Sequence, residues 1–303
     1  MTASAPVRWA DDSPGPVVVG VADSASGRAA VCWALDQAAA TGAAITLLHG
    51  VEPGEAGRAV LPRLGLVAGR DLLRREARFV RSVAPGLTVT TERLRGSVMW
   101  ALGAASADAG MMVVGTHKSG FIHGAVYGST SLQLAATAHC PVVVVPAASP
   151  DVSTGIVLGA DGSPAGRAAL RLAAAEADRA GTDLLIVRVL APLGDEAGDA
   201  AARAEAAALL EEFRVSASAE HPGLPVDVRA IHGSLAHTLV TISTGARLLV
   251  LGDARSDASQ DPLALGAVCH DALLNIQTPT VIVHVGDLDP LADRAARARV
   301  THG

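Results

Sequence analysis

At 303 residues and a formal net charge of −6, the chain is long for one compact domain and lacks the basic field of a non-specific nucleic-acid binder. Half the residues are hydrophobic, largely alanine and valine, and aromatics supply only 2%, so the cores must be built from small side chains. Three cysteines, an N-terminus (MTASAPVRWADDSPG) with no basic start or apolar h-region, and no apolar run of ~18 residues argue against a disulfide framework, a secretory signal and a membrane span; a cytoplasmic chain is expected.

In the first half, short apolar runs predict strands near 16–21, 44–50, 87–92, 111–115 and 142–146. Alanine-rich stretches between them predict helices near 26–41, 67–83, 97–108 and 129–138. Thr41-Gly42 closes the first helix, and Pro85-Gly86 separates the second helix from the third strand. Residues 147–154 (AASPDVST) read as a linker. Strands follow near 155–160, 183–189, 225–230, 248–252 and 280–285, and 287–303 forms a charged tail.

The second half repeats the first. VVVGVADSASGRAAVCWAL from Val17 matches GIVLGADGSPAGRAALRLA from Gly155, with Gly20 on Gly159 and Gly27-Arg28 on Gly166-Arg167, an offset of 139. RGSVMWAL at Arg95 matches HGSLAHTL at His232, and MMVVGTH at Met111 matches LLVLGDA at Leu248, both at offset 137. PVVVV at Pro141 matches PTVIV at Pro279, at offset 138. Four blocks in one order imply duplication into two domains, 1–150 and 151–303, each a doubly wound α/β sandwich on five strands. The halves differ in charge: 12 basic and 10 acidic residues in the first, 12 and 20 in the second.

Ligands of open parallel sheets bind at the carboxyl ends of strands, where strand order reverses. After the fourth strand of the first domain come Gly115, Thr116, His117, Lys118 and Gly120, then Gly128, Ser129 and Thr130 at the start of a helix. Glycines let backbone amides approach an anion, and a helix N-terminus favours phosphate. By spacing alone, a phosphate cradle and a connector with a serine N-cap are both open readings.

The arrangement V-G-V-x-x-S, L-L-H-G-V-E-P, R-G-S, V-V-G-T-H, G-S-T and H-C-P-V-V-V-V resembles the universal stress protein family, twice over nearly the whole chain. The resemblance implies flavodoxin-like (Rossmann-like) sheets of order 3-2-1-4-5 paired through their fifth strands, here within one chain; whether two chains pair again as a homodimer is left open. In the family's ATP-binding branch a G-x-x-G, nine residues, G-S or G-T loop holds the phosphates by its backbone. An aspartate after strand one lies by the nucleoside, and backbone after strand two receives the adenine.

Carried over, the first domain offers Gly20, Gly115, Gly128 and Ser129, with Val51 at the adenine position, but Lys118 replaces the second glycine and Ala22 the aspartate, with Asp23 next to it. Lys118 either blocks a positive-φ turn or supplies a cation to the phosphates. The second domain has the opposite losses. Asp161 matches the strand-one motif, while the loop from Gly252 to Gly266 is one residue too long and carries Asp253, Asp257 and Asp261, which would repel a triphosphate.

The resemblance therefore implies an ATP-binding stress module, with Mg2+ as a companion ion and the nucleotide in the first domain. The alternative is a nucleotide-free scaffold acting through protein partners. With no Walker A sequence, G-x-S-x-G elbow or paired catalytic carboxylates, any ATP hydrolysis is expected to be slow. His139-Cys140 lacks the spacing of a metal pair and reads as packing, and Arg70, Arg74, Arg78 and Arg81 form a basic stripe that reads as a solvated helix face or as a face toward an acidic partner.

Overall fold

The computed structural model describes residues 15–51, 62–95, 97–116, 130–147, 155–191, 196–253 and 265–285. His117, Lys118, Gly120, Gly128, Ser129, Asp257, Asp261 and the tail lie outside the described residues.

The first lobe runs β1 (Val17–Gly20), α1 (Ala25–Thr41), β2 (Ile45–Val51), α2 (Pro62–Val83), β3 (Val89–Arg95), α3 (Val98–Ser106), β4 (Met111–Thr116), α4 (Thr130–Thr137) and β5 (Val142–Pro146). The second repeats it with β6 (Ile156–Gly159), α5 (Pro164–Ala180), β7 (Leu184–Leu190), α6 (Glu196–Glu220), β8 (Val226–His232), α7 (Leu235–Ile242), β9 (Leu248–Gly252), α8 (Ala267–Asn275) and β10 (Thr280–Val283).

Local chemistry fixes the helix ends. Ser24 Oγ caps α1 by accepting from Gly27 N at 3.0 Å, and Gly42 ends it in the left-handed region at φ 71°. Ser163 and Gly181 do the same for α5, with Pro164 at its first turn. The third strand starts two residues later than its apolar run predicts. It is an edge strand, VTTERLR, whose backbone bonds and not its side chains set the limits.

The ten strands of the described residues form one sheet in the order β3-β2-β1-β4-β5-β10-β9-β6-β7-β8, so each lobe has the expected order 3-2-1-4-5. Neighbours within a lobe are parallel, and β5 and β10 meet antiparallel. Val143 faces Val281, its own counterpart in the repeat, which places a local twofold axis at the seam. Side chains of each strand alternate between two cores. Val17, Val19, Ile156 and Leu158 pack under α1, α2, α5 and α6 on one face, together with Leu73, Val80 and Phe213. Val18, Met112, Val157 and Leu249 pack under α3, α4, α7 and α8 on the other, with Leu102, Leu134 and Leu273. Both cores cross the seam, so the lobes share them.

Candidate nucleotide site

The chain leaves β1 for β2 on one side and later inserts β4 on the other, so the carboxyl ends of β1 and β4 form the crevice where this sheet type binds ligands. Gly20 and Gly115 stand there for steric reasons. A Cβ on Gly20 would lie 3.0 Å from Val114 Cγ1, and one on Gly115 would meet the backbone of Ser26 and come within 2.9 Å of Gly27 N. The turn from β1 into α1 therefore rides directly on the end of β4.

Thr116, buried, ends β4, and Thr130, exposed, opens α4. Val51 ends β2, opposite Arg95 of β3. His49 of β2 reaches the residue that follows β1, its Nδ1 2.8 Å from the Val21 carbonyl oxygen. Asp23, in the turn from β1 into α1, is engaged by α2. Its Oδ1 accepts from Arg75 Nη2 of α2 at 2.7 Å. Arg75 Nε also reaches Glu76 Oε1 at 3.2 Å, while Glu76, buried, meets Arg28 at 3.0 Å. The hydrogen bond to Asp23, then that to Glu76, pushes the Arg75 pKa further up, so its charge is permanent. Together Ala22, Asp23, Ser24, Arg28, Arg75 and Glu76 line a cavity of about 280 Å³.

In the second lobe Asp161 accepts from the backbone N of Ser163 at 2.9 Å and from its Oγ at 2.8 Å, and a Cβ on Gly166 would collide with it. Arg188 takes the place of His49, donating to the Ala160 carbonyl at 3.1 Å. Gly159, Asp161, Arg188, Leu239, Leu251 and Cys269 contribute to a cavity of about 70 Å³ at the ends of β6, β7 and β9.

Asp253 does not line that crevice as an exposed carboxylate. It is 2% exposed, and its Oδ1 accepts from Gly266 N, at the start of α8, at 2.8 Å. Its Oδ2 lies at ion-pair distance, 3.4 Å, from His284 Nδ1, and His284 Nε2 donates to the Ala135 carbonyl of the first lobe at 2.7 Å. Nearby, burial first and then Asp253 and Asp161 push the Cys269 thiol well above its ordinary range. The parts that sequence reasoning missed, Arg75 with Asp23 and His284 with Asp253, join elements 52 and 31 residues apart. The signal was within reach only for His284, which stands where the first repeat has Pro146.

The sequence profile of the universal stress protein family matches residues 15–146 and again 154–284. Over 287 residues the chain is 32% identical to a universal stress protein of Mycolicibacterium smegmatis, covering 88% of this chain and 96% of that one. A universal stress protein of Mycobacterium tuberculosis is 27% identical over 288 residues, with 88% and 95% covered. Among solved structures, a universal stress protein from Archaeoglobus fulgidus superposes with a TM-score of 0.69 at 15% identity, covering 91% of this chain and 98% of that one. A putative universal stress protein from Pseudomonas aeruginosa superposes at 0.58 and 17% identity, covering 95% and 99%. Those structures attest the fold, and the two profile matches with the mycobacterial relatives carry the family: the chain belongs to the universal stress protein family, with one copy of its domain in each lobe.

Proposed function

We propose that the chain is an adenine-nucleotide-binding regulatory module of the cytoplasmic stress response, holding ATP in its first lobe and responding to occupancy through conformation or assembly. The observation that carries the choice of lobe is one repeat position. Where the second lobe buries a carboxylate, Asp253, against the N-cap amide of α8, the first lobe has the neutral hydroxyl of Thr116. A phosphate approaching α4 thus meets the N-terminus of a helix and no buried anion at that position.

In this reading the loop through Lys118 to Ser129 receives the phosphates, Thr130 contributes its place at the helix start, and the backbone beyond Val51 receives the adenine. Mg2+ would be carried mainly by the phosphates themselves and by water, as is usual for that ion. Asp23 stands one residue past the pattern's aspartate position, and Arg75 already holds it. That pairing favours the second reading, a scaffold that binds no nucleotide and acts through protein partners.

Thermal unfolding with and without Mg-ATP separates the two, since a ligand of the folded state alone raises apparent stability by about 2.7 kcal/mol at ~100-fold excess over its Kd. The nucleotide reading expects an upward shift that Gly128→Glu abolishes and Asp161→Ala keeps. No shift at millimolar ATP, with cAMP equally inert, leaves the scaffold and makes a pull-down the next step.

A further inference from the structure

In the second lobe, the place that an anionic ligand group would take is filled from within the chain. Helix α8 begins at the carboxyl ends of β6 and β9, where unpaired first-turn amides and the helix dipole attract negative charge. Gly266, its N-cap, has no side chain of its own to offer. The Gly266 amide instead donates to Asp253 Oδ1 at 2.8 Å, from a carboxylate that is 2% exposed. A buried carboxylate persists only where its lost hydration is replaced. Here the replacement comes from that amide and from His284, itself 7% exposed, whose Nδ1 is 3.4 Å from Oδ2.

His284 is tied in turn to the other lobe, since its Nε2 donates to the Ala135 carbonyl on α4 at 2.7 Å. The helix that begins at Thr130 in the first lobe is thus joined through one imidazole to the start of α8 in the second. The same two repeat positions in the first lobe are Thr116 and Pro146, which supply neither a carboxylate nor an imidazole.

We propose that Asp253 is a resident anion that closes the second lobe to phosphate-bearing ligands, latched by His284 to α4 of the first lobe. The two lobes are then divided in function, one open to phosphate and one sealed by its own side chain. The proposal rests on the reading that this end of the lobe is where nucleotide phosphates bind, and the test separates the two.

The test uses the full chain in a background of Asp257→Asn and Asp261→Asn, which removes the loop's other carboxylates. It carries either Gly128→Glu alone, which disables the first lobe (the single variant), or Gly128→Glu with Asp253→Thr, which installs the first lobe's own residue (the double variant). Calorimetric titration with Mg-ATP should find no site in the single variant and one site per chain in the double variant. A folded double variant that binds nothing at millimolar Mg-ATP overturns the proposal. ATP binding by the double variant but not by the unaltered chain keeps the plug and sinks the first-lobe reading instead. A second measurement needs no ligand: native-state hydrogen exchange at the Gly266 amide should be slow in the unaltered chain and about tenfold faster in His284→Gln. An unchanged rate there overturns the latch.

Discussion

Gln37 and Glu176 occupy the same position of the two repeats and meet at the local twofold, Gln37 Nε2 donating to Glu176 Oε1 at 2.7 Å. Arg179 completes the group, donating to Gln37 Oε1 at 2.9 Å and ion-pairing with Glu176. Two glutamates here would set two buried carboxylates against each other. The unlike pair gives the buried amide and carboxylate complementary partners.

Gln37→Glu, which sets a second buried carboxylate against Glu176, should lower stability by about 3 kcal/mol, the scale for an uncompensated buried charge. Adding Glu176→Gln exchanges the two residues within reach of Arg179 and should restore at least half of that loss. Denaturant unfolding of the four proteins of the cycle reads the coupling, and strictly additive losses would refute the pairing.

Phe213, under the second lobe's sheet, is the largest of the fully buried side chains among the described residues. Phe213→Ala should cost about 3–5 kcal/mol. Trp100 on α3 is 73% exposed, and Trp100→Ala should stay within about 0.5 kcal/mol of the parent. Comparable losses from the two would mean that Trp100 is covered in solution, which urea melts at several protein concentrations would show.

Gly115→Ala and Gly252→Ala test the contact between each β1-type turn and its fourth strand. A Cβ at Gly252 would lie 2.5 Å from Ala165 C and from Gly166 N, backbone atoms that have no rotamer to escape into. Each substitution should cost about 1–3 kcal/mol. Gly103→Ala, where nothing lies within 4 Å, should instead be neutral or stabilising, as expected inside a helix. Thermal melts of the three variants give the comparison.

Cys269 makes stability fall in alkali. Below its ordinary pKa of 9.0 both folded and unfolded chains keep the thiol proton. Above it the unfolded chain releases the proton while the buried thiol retains it, so the native state loses about 1.4 kcal/mol per pH unit from this group. Cys269→Ala should flatten the decline between pH 9 and 10.5 by that amount, and parallel pH profiles for variant and parent would contradict it.

The fold was legible because duplication printed every signal twice. The Ser24 and Ser163 caps, the Gly42 and Gly181 stops and the valine runs agree between copies, and fourth strands predicted at 111–115 and 248–252 fall on Met111–Thr116 and Leu248–Gly252. Local chemistry sufficed for these. The helix before β3 begins at Pro62 and not near 67, because a proline can open a helix although the alanine-rich periodicity starts later. The site was less legible. Asp253 reads in sequence as one of three loop carboxylates, yet it is buried, because its partners Gly266 and His284 are 13 and 31 residues away and become neighbours only when β9 and β10 pair. Likewise the fate of Asp23 depended on which face α2 presents to it.

The antiparallel seam between β5 and β10 has a consequence for how the protein responds to its own abundance. Two separate domains joined along such strands would part on dilution, and their pairing would track the amount of protein made. With both on one polypeptide the partner is always present at the high local concentration that a covalent connection imposes. The joined sheet should therefore persist from the lowest expression level to the highest, and a change in gene dosage would alter the number of paired units without altering the fraction that is paired.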